Sequence, residues 1–438
     1  MTKKAINDIA ATLNATLAEN GCIIPSLLSK RGTSAFFPSR GILGQTAEAR
    51  GSVINATIGT AFEDDGTPLC LECLEDMLKA PCDAFLYAPS YGSKPLRAKW
   101  QEMLTEKNPG LAGQRFSTPV VTNALTHALY VASLLFVDAD DKIIIPDLYW
   151  DNYELLFKDG RDATFVTYKT FIGGEFNVAG LEKLLMSKGD KKIVLLNFPN
   201  NPTGYTPTTA EAYAIQAAFK KAAEAGKKIV ALIDDAYFGL VYEEGVFRES
   251  IFTLLASLHE NILAVKLDGP TKEDYVWGLR IGFITFAMKG LTDAQYKALE
   301  DKAAGLVRGT ISSSSNIGQV MLLQAYRSDA YAGEKSEKFA TLKKRYGIIR
   351  NIFAMHGEYH ESFTPMPFNS GYFMCVKPNG VDAQVLWRYL LDHFQTGTIV
   401  LSGLIRIAYS SVPAEKLEKL FANIDAAVRE IKVKEAAK

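Results

Sequence analysis

No stretch of the 438 residues approaches the run of ~18 apolar residues that a membrane-spanning helix requires, so no membrane partner is expected. The first residues, Met1-Thr-Lys-Lys-Ala-Ile-Asn-Asp8, lack the apolar block of a secretory leader, which reads as a cytoplasmic chain. An excess of one charge is missing as well. The formal net charge is −1, and acids and bases are evenly mixed, which leaves no field to attract nucleic acid or an anionic membrane. Cysteine is sparse: five residues, an odd number scattered over this length, make no disulfide framework. Cys70 and Cys73 do form a Cys-x-x-Cys, with Cys82 further on. No histidine or second close pair completes a metal set, and Leu71, Leu74 and Leu78 at helical spacing point to a buried helix face. His356 and His360 stand four apart, yet Glu358 is not at the position a metal motif needs and Gly357 weakens the turn. No metal is expected.

Apolar residues are plentiful, at 48% of the chain, enough for two or three domains or one large domain with a smaller one. A helix is expected around Ile6 to Leu17, followed by an irregular arm that includes Phe37-Pro-Ser-Arg-Gly-Ile-Leu-Gly44. An arm with so little periodicity must lie over something to be ordered. Strand-like runs then recur at Pro119–Thr122, Lys142–Pro146, Thr164–Tyr168, Ile193–Asn197, Ile229–Asp234 and Ile262–Lys266, mostly with helical stretches between them. That rhythm predicts an α/β fold with a mostly parallel sheet covered on both faces. Leu279–Phe286 follows Ile262–Lys266 without an intervening helix and is expected to join as an antiparallel strand. Beyond Leu306 a Ser-rich turn and long helices mark a second unit. In the final helix, Leu417, Leu420, Phe421, Ile424, Val428 and Ile431 share one apolar stripe. The boundaries expected are an N-terminal arm at 1–55, a large domain at 56–310 and a small domain at 311–438.

Three stretches carry chemistry. Asn197-Phe-Pro-Asn-Asn201-Pro-Thr-Gly204 closes a strand, and ligands of open α/β sheets bind at the carboxyl ends of strands. Taken alone it is also an ordinary strand-to-helix turn. Asp234-Asp-Ala-Tyr237 ends another strand at the same edge; a buried carboxylate there needs a cation, which a protonated pyridine nitrogen supplies, although a helix cap is the plainer reading. Gly269-Pro-Thr-Lys272 leads to Arg280 and Gly282. Lysine is the side chain that forms Schiff bases, and the Arg280 fork suits a phosphate on the following strand.

Together, Asn201-Pro-Thr-Gly204, Asp234-x-x-Tyr237, Thr271-Lys272 with Arg280 and Gly282, and Arg406 in Leu404-Ile-Arg-Ile-Ala-Tyr-Ser410 resemble the class I and II aminotransferases of pyridoxal-phosphate fold type I. The similarity runs from about Thr57 to Ser410. It implies that Lys272 carries pyridoxal 5'-phosphate as a Schiff base and then shuttles a proton, with Asp234 on the pyridine nitrogen and Asn201 and Tyr237 on the phenolic oxygen. Trp150 would cover the ring face, Arg406 with the backbone of Gly59 would take the substrate α-carboxylate, and Tyr87 would reach the phosphate of a neighbouring subunit in a homodimer. Two departures stand out. The phosphate-binding helix start reads Ala124-Leu125-Thr126 where the family is rich in Gly, Ser and Thr, although backbone amides there can still donate. Gly269 replaces a frequent serine, so one phosphate contact is lost or passes to a backbone amide.

The reaction implied is amino-group transfer from an amino acid to a 2-oxo acid; a lyase or decarboxylase on the same fold and a non-catalytic cofactor-binding regulator are the rival readings. No basic helix-turn-helix precedes residue 55, which weighs against the regulator. Arg308, ahead of Ser312–Ser315, resembles the arginine that dicarboxylate-specific members lend across the dimer, which would make aspartate or glutamate the donor. Arg31, Arg40 and Arg50 in the arm are other candidates.

Overall fold

The computed structural model describes residues 8–18, 33, 41–75 and 81–437. Phe37–Arg40, Arg31 and Leu78 therefore lie outside the described residues. The expected N-terminal helix is present as α1 (Asp8–Ala18). The arm departs from expectation: Ile42–Glu48 forms a short helix, α2, where an irregular run was expected. Its order comes from distant contacts, for the Gln45 side chain takes the Val400 N–H at 2.5 Å and donates to the Val400 carbonyl at 3.1 Å, a link that local periodicity does not encode.

After β1 (Ile54–Asn55) and α3 (Lys94–Lys107) come the strands of a seven-stranded sheet. These are β2 (Val120–Asn123), β3 (Lys142–Pro146), β4 (Thr164–Tyr168), β5 (Lys191–Asn197), β6 (Lys228–Asp234), β7 (Ile262–Asp268) and β8 (Ile281–Ala287), in spatial order β2-β8-β7-β6-β5-β3-β4. The neighbours from β7 to β4 pair in parallel, and β8 is antiparallel to both β7 and β2. Every residue of β8 is buried, as a strand covered on both faces requires. The covering helices include α4 (Ala124–Phe136), apolar nearly all round, and α5 (Thr209–Glu224), which starts on a reciprocal cap between Thr208 and Glu211.

A one-turn helix, α6 (Pro270–Glu273), links β7 to β8. Then α7 (Asp293–Ile311) and the 25-residue α8 (Tyr331–Met355) lead to a four-stranded antiparallel sheet. Its strands are β9 (Phe363–Pro365), β10 (Phe373–Pro378), β12 (Ile399–Leu401) and β13 (Leu404–Ala408), in spatial order β9-β10-β13-β12; β11 (Thr396–Gly397) instead pairs with β1. Two helices pack on this sheet, α9 (Ala383–Phe394) and α10 (Leu417–Ala436); the six stripe residues of α10 are all buried. Among the described residues no helix is long and apolar enough to cross a membrane.

Candidate active site

The sheet brings the chemistry to one edge. Asn197 stands opposite Asp234 across the β5–β6 pair, so both side chains emerge where their parallel strands end. The antiparallel β8 runs the other way: its first residues, Ile281 and Gly282, lie against Asn123 and Thr122 at the end of β2. The start of β8, the turn carrying Lys272 and the first turn of α4 therefore meet around one cavity of about 340 Å³. Its lining contains Gly59, Ala124, Leu125, Thr126, Trp150, Asn201, Asp234, Tyr237, Lys272, Arg280 and Arg406, eleven of the residues singled out from sequence. Tyr87 and Arg308 do not line it. Tyr87 is 94% exposed, and Arg308, at the end of α7, donates to the Ser312 hydroxyl at 2.6 Å. Arg50 is likewise exposed and outside the cavity.

Asp234 is fully buried, and burial pushes its carboxyl above the usual range; the Tyr153 hydroxyl and the Lys272 ammonium act against that rise. Tyr153 donates to Oδ2 at 2.5 Å and the Ala236 amide to Oδ1 at 3.0 Å. Neither is a cation. Lys272 lies 5.1 Å above the Tyr237 ring. Desolvation lowers its amine to about 8; Asp234 opposes the shift and Arg280 reinforces it. Lys266 is the contrasting case. It is fully buried where Lys272 is half-buried, but Asp235 and Asp268 outweigh the desolvation and keep it an ammonium, locked to the Asp235 carboxylate. Of these two, Lys272 is the one within reach of the neutral form that a nucleophile needs near pH 7.

Arg406, on β13, is buried against the Phe373 ring at 4.4 Å and donates to Asn201 Oδ1 at 3.1 Å and to the Thr57 carbonyl at 3.0 Å. Its Nε has no hydrogen-bond partner, and the same is true of Thr271 Oγ1 and Trp277 Nε1 in the same lining. Buried donors left unpaired cost about 1–3 kcal/mol each, so a polar ligand is what this cavity suits.

Glycines shape the cup. A Cβ on Gly282 would stand 2.6 Å from the Ala124 backbone carbon, and one on Gly269 would stand 2.9 Å from Gly282 Cα. The missing serine at 269 thus has a packing reason: no side chain fits between α6 and β8. The unpaired Thr271 hydroxyl is available for the contact that the serine would make. Ala124 itself has φ +61°, a left-handed turn at the start of α4, whose first three residues line the cavity. A helix start, an arginine fork, a buried carboxylate and an aromatic plate make a donor set suited to a phosphorylated pyridine aldehyde.

Sequence reasoning missed Tyr153, Asn197, Thr271, Trp277 and Phe373. The spacing of Tyr153, three after Trp150, put it on the same side of a helical turn and was available as a signal. Asn197 locks the edge, donating to the Asp234 carbonyl at 2.9 Å and accepting from the Asn201 amide at 2.8 Å. Phe373, from the C-terminal sheet, carried no local mark.

An α/β architecture with a mostly parallel seven-stranded sheet, and a cavity lysine close to a buried aspartate, is the arrangement of pyridoxal-phosphate fold type I. The chain belongs to the family described as aminotransferase class I and II, whose model matches residues 53–424. An aspartate aminotransferase from Sulfurisphaera tokodaii is 26% identical over 266 residues, 60% of each chain. One from Rhizobium meliloti is 24% identical over 431 residues, covering 93% of this chain and 97% of that protein. With the first three curated relatives the match spans 47% to 60% of their length. The fold matches that of an aminotransferase from Anaerococcus prevotii with a TM-score of 0.81 and 23% identity, over 92% of this chain and 99% of that one.

Proposed function

We propose that this chain is a pyridoxal-5'-phosphate-dependent aminotransferase that moves the amino group of an amino acid to a 2-oxo acid. The observation that carries it is a half-buried lysine with its amine lowered to about 8 in a cavity shared with a buried carboxylate held by the Tyr153 hydroxyl and a buried arginine. The cofactor, when bound, supplies an aldehyde for amine exchange and a protonated ring that draws electrons from the substrate α-carbon.

The residues divide the work. Asp234, ionised and held by Tyr153, keeps the ring nitrogen protonated; Asn201 and Tyr237 serve the phenolic oxygen; Trp150 covers a ring face. The amides of Ala124 and Leu125, with the Thr126 and Thr271 hydroxyls and Arg280, hold the phosphate. Arg406, backed by Phe373 and beside Gly59, orients the substrate through its α-carboxylate. Lys272 Nζ, its ammonium disfavoured by desolvation, takes the α-proton in its neutral form and returns it on the product side, a role worth about 10²–10⁴ in rate.

The donor is acidic in this reading, aspartate or glutamate. Support comes from the names of the relatives and from Arg308, which lies outside the cavity of its own chain, where it donates to the Ser312 hydroxyl. Homodimer formation belongs to the same reading, since Phe85, Leu86 and Tyr87 are 75%, 67% and 94% exposed in one run, more apolar surface than an isolated loop keeps. The chain works in the cytoplasm, where Cys70, Cys73 and Cys375, none of them in a disulfide, stay reduced.

One assay tests the function: aspartate and 2-oxoglutarate are incubated with the cofactor-loaded protein. Appearance of glutamate supports transamination. Release of ammonia or carbon dioxide in its place identifies a lyase or decarboxylase, and silence across a panel of amino acids leaves a binding protein.

A further inference from the structure

Two carboxylates follow the cavity lysine directly. Glu273 is 4% exposed and Asp274 fully buried, an expensive placement for charge unless each is paired. Both are. Lys107, from the end of α3, meets Glu273 Oε1 at 2.9 Å, and Lys335 meets Glu273 Oε2 at 3.0 Å and Asp274 Oδ1 at 2.6 Å. Tyr331 and Tyr326 complete the shell of Asp274, donating at 2.7 and 2.9 Å. Burial alone would push the Lys335 ammonium down, and Asp274 and Glu273 more than reverse it.

Lys335 stands in the first turns of α8, and that helix reaches the other side of the cavity. Arg345, ten residues or about 15 Å further along the same helix, is fully buried and donates to the Ser410 carbonyl at 2.6 Å and to Asp64 at 2.8 Å. Ser410 follows the strand that carries Arg406, and its hydroxyl donates to the Thr60 carbonyl beside Gly59 at 3.1 Å. A third tie closes the frame: the Tyr372 hydroxyl donates to the backbone carbonyl of Lys272 at 2.8 Å. One rigid helix therefore grips the turn after the reacting amine at one end and the arginine strand further along.

We infer that Lys335 is a positioning residue for Lys272: by clamping Glu273 and Asp274 to α8 it fixes the reacting amine relative to Arg406 and neutralises the two carboxylates next to it. Nothing in the ion-pair cluster touches the cavity, so Lys335 acts only through the turn. The inference rests on the reading of Lys272 as the reacting amine, but its test needs neither cofactor nor turnover.

Asp234 and Arg280 act on the Lys272 amine from the cavity, which Tyr237 and Arg406 also line, and the paired Glu273 and Asp274 follow it directly in the chain. Removing the Lys335 charge leaves the two carboxylates less neutralised and favours the Lys272 ammonium; removing the Glu273 charge does the opposite. Competitive acetylation of the cofactor-free protein across pH, read on the Lys272 peptide by mass spectrometry, reports the midpoint. For Lys335→Met it should rise by about one pH unit, a tenfold loss of neutral amine at fixed pH. Lys335→Arg should restore it, and Glu273→Gln should lower it. In the loaded protein, kcat of Lys335→Met should fall about tenfold with KM unchanged. A support merely for folding would lower the yield or melting temperature and move neither midpoint. Wild-type midpoints in folded Lys335→Met and Glu273→Gln overturn the inference. If Lys335→Met does not fold, Glu273→Gln decides alone: a lowered midpoint upholds it and an unchanged one overturns it. Failure of borohydride to trap the cofactor on wild-type Lys272 would instead overturn the functional reading.

Discussion

The hydroxyl of Tyr153 donates a 2.5 Å hydrogen bond to Asp234 Oδ2, and both side chains are sealed from solvent. Burial raises the Asp234 carboxyl, and Tyr153 is the strongest group acting against that rise. Without the hydroxyl the carboxylate is harder to keep ionised and the ring nitrogen harder to keep protonated. A hydrogen bond to a charged group is worth about 1.5–3 kcal/mol. Tyr153→Phe should therefore weaken cofactor binding or slow turnover by roughly 10- to 100-fold. Titration of the cofactor absorbance and steady-state kinetics check this, and an unchanged variant would show that Asp234 needs no such support.

Lys272 should react with carbonyl compounds with a midpoint near pH 8, well below the 10.5 of an ordinary lysine. The sign follows from burial, which disfavours the ammonium, so neutral amine accumulates as pH rises through 8. Asp234 opposes this shift, and Asp234→Asn should carry the midpoint lower still. Borohydride trapping with peptide mapping is the measurement. Label on Lys266 in place of Lys272 would falsify the assignment.

Gly282→Ala should damage the phosphate cup. Its Cβ would stand 2.6 Å from a backbone carbon of Ala124 and 2.9 Å from the Leu125 amide nitrogen, two atoms that cannot step aside as a flexible side chain could. A destabilisation of about 1–3 kcal/mol is expected in denaturant titration. Cofactor retention on gel filtration should drop at the same time. Gly278→Ala, with open space around its Cβ position, serves as the neutral control.

Tyr87→Phe should weaken cofactor retention in a protein that remains folded, since the side chain is 94% exposed and supports nothing in its own chain. Sedimentation should find two chains. A fully active monomer would remove both the dimer and the role of Tyr87.

Arg406→Ala should raise KM for every amino donor by at least tenfold, because the α-carboxylate is common to all of them. Arg308→Ala should act selectively, slowing aspartate and glutamate and sparing alanine and phenylalanine. If the ratio of acidic to neutral donors is unaltered, Arg308 does not set specificity.

The strands of the large sheet were legible because they are short apolar runs ended by turn residues; β3 and β4 match their sequence-derived bounds to the residue, and β8 joins antiparallel as expected. Eleven of the thirteen site residues share one cavity, and several of them were legible for the same reason: Asp234 ends a strand, Ala124, Leu125 and Thr126 open a helix, and Asn201 and Lys272 fall in turns that follow strands. The helix at Ile42–Glu48 was hidden, because its stability comes from Gln45 bridging to Val400 and not from its own pattern.

By itself the sequence determined the sheet and the edge on which the candidate turns fall, and it singled out Lys272, Asp234, Arg280 and Arg406, which share one cavity. Such features follow from local patterns of two to ten residues. The tertiary structure alone decided that Tyr153 holds Asp234, that Phe373 backs Arg406, and that Lys335 closes on Glu273 and Asp274, because each joins residues more than 30 positions apart whose meeting no local pattern records. It also decided which of these two lysines can lose its proton: Lys266 meets carboxylates that hold its charge, whereas Lys272 faces a cavity where desolvation prevails.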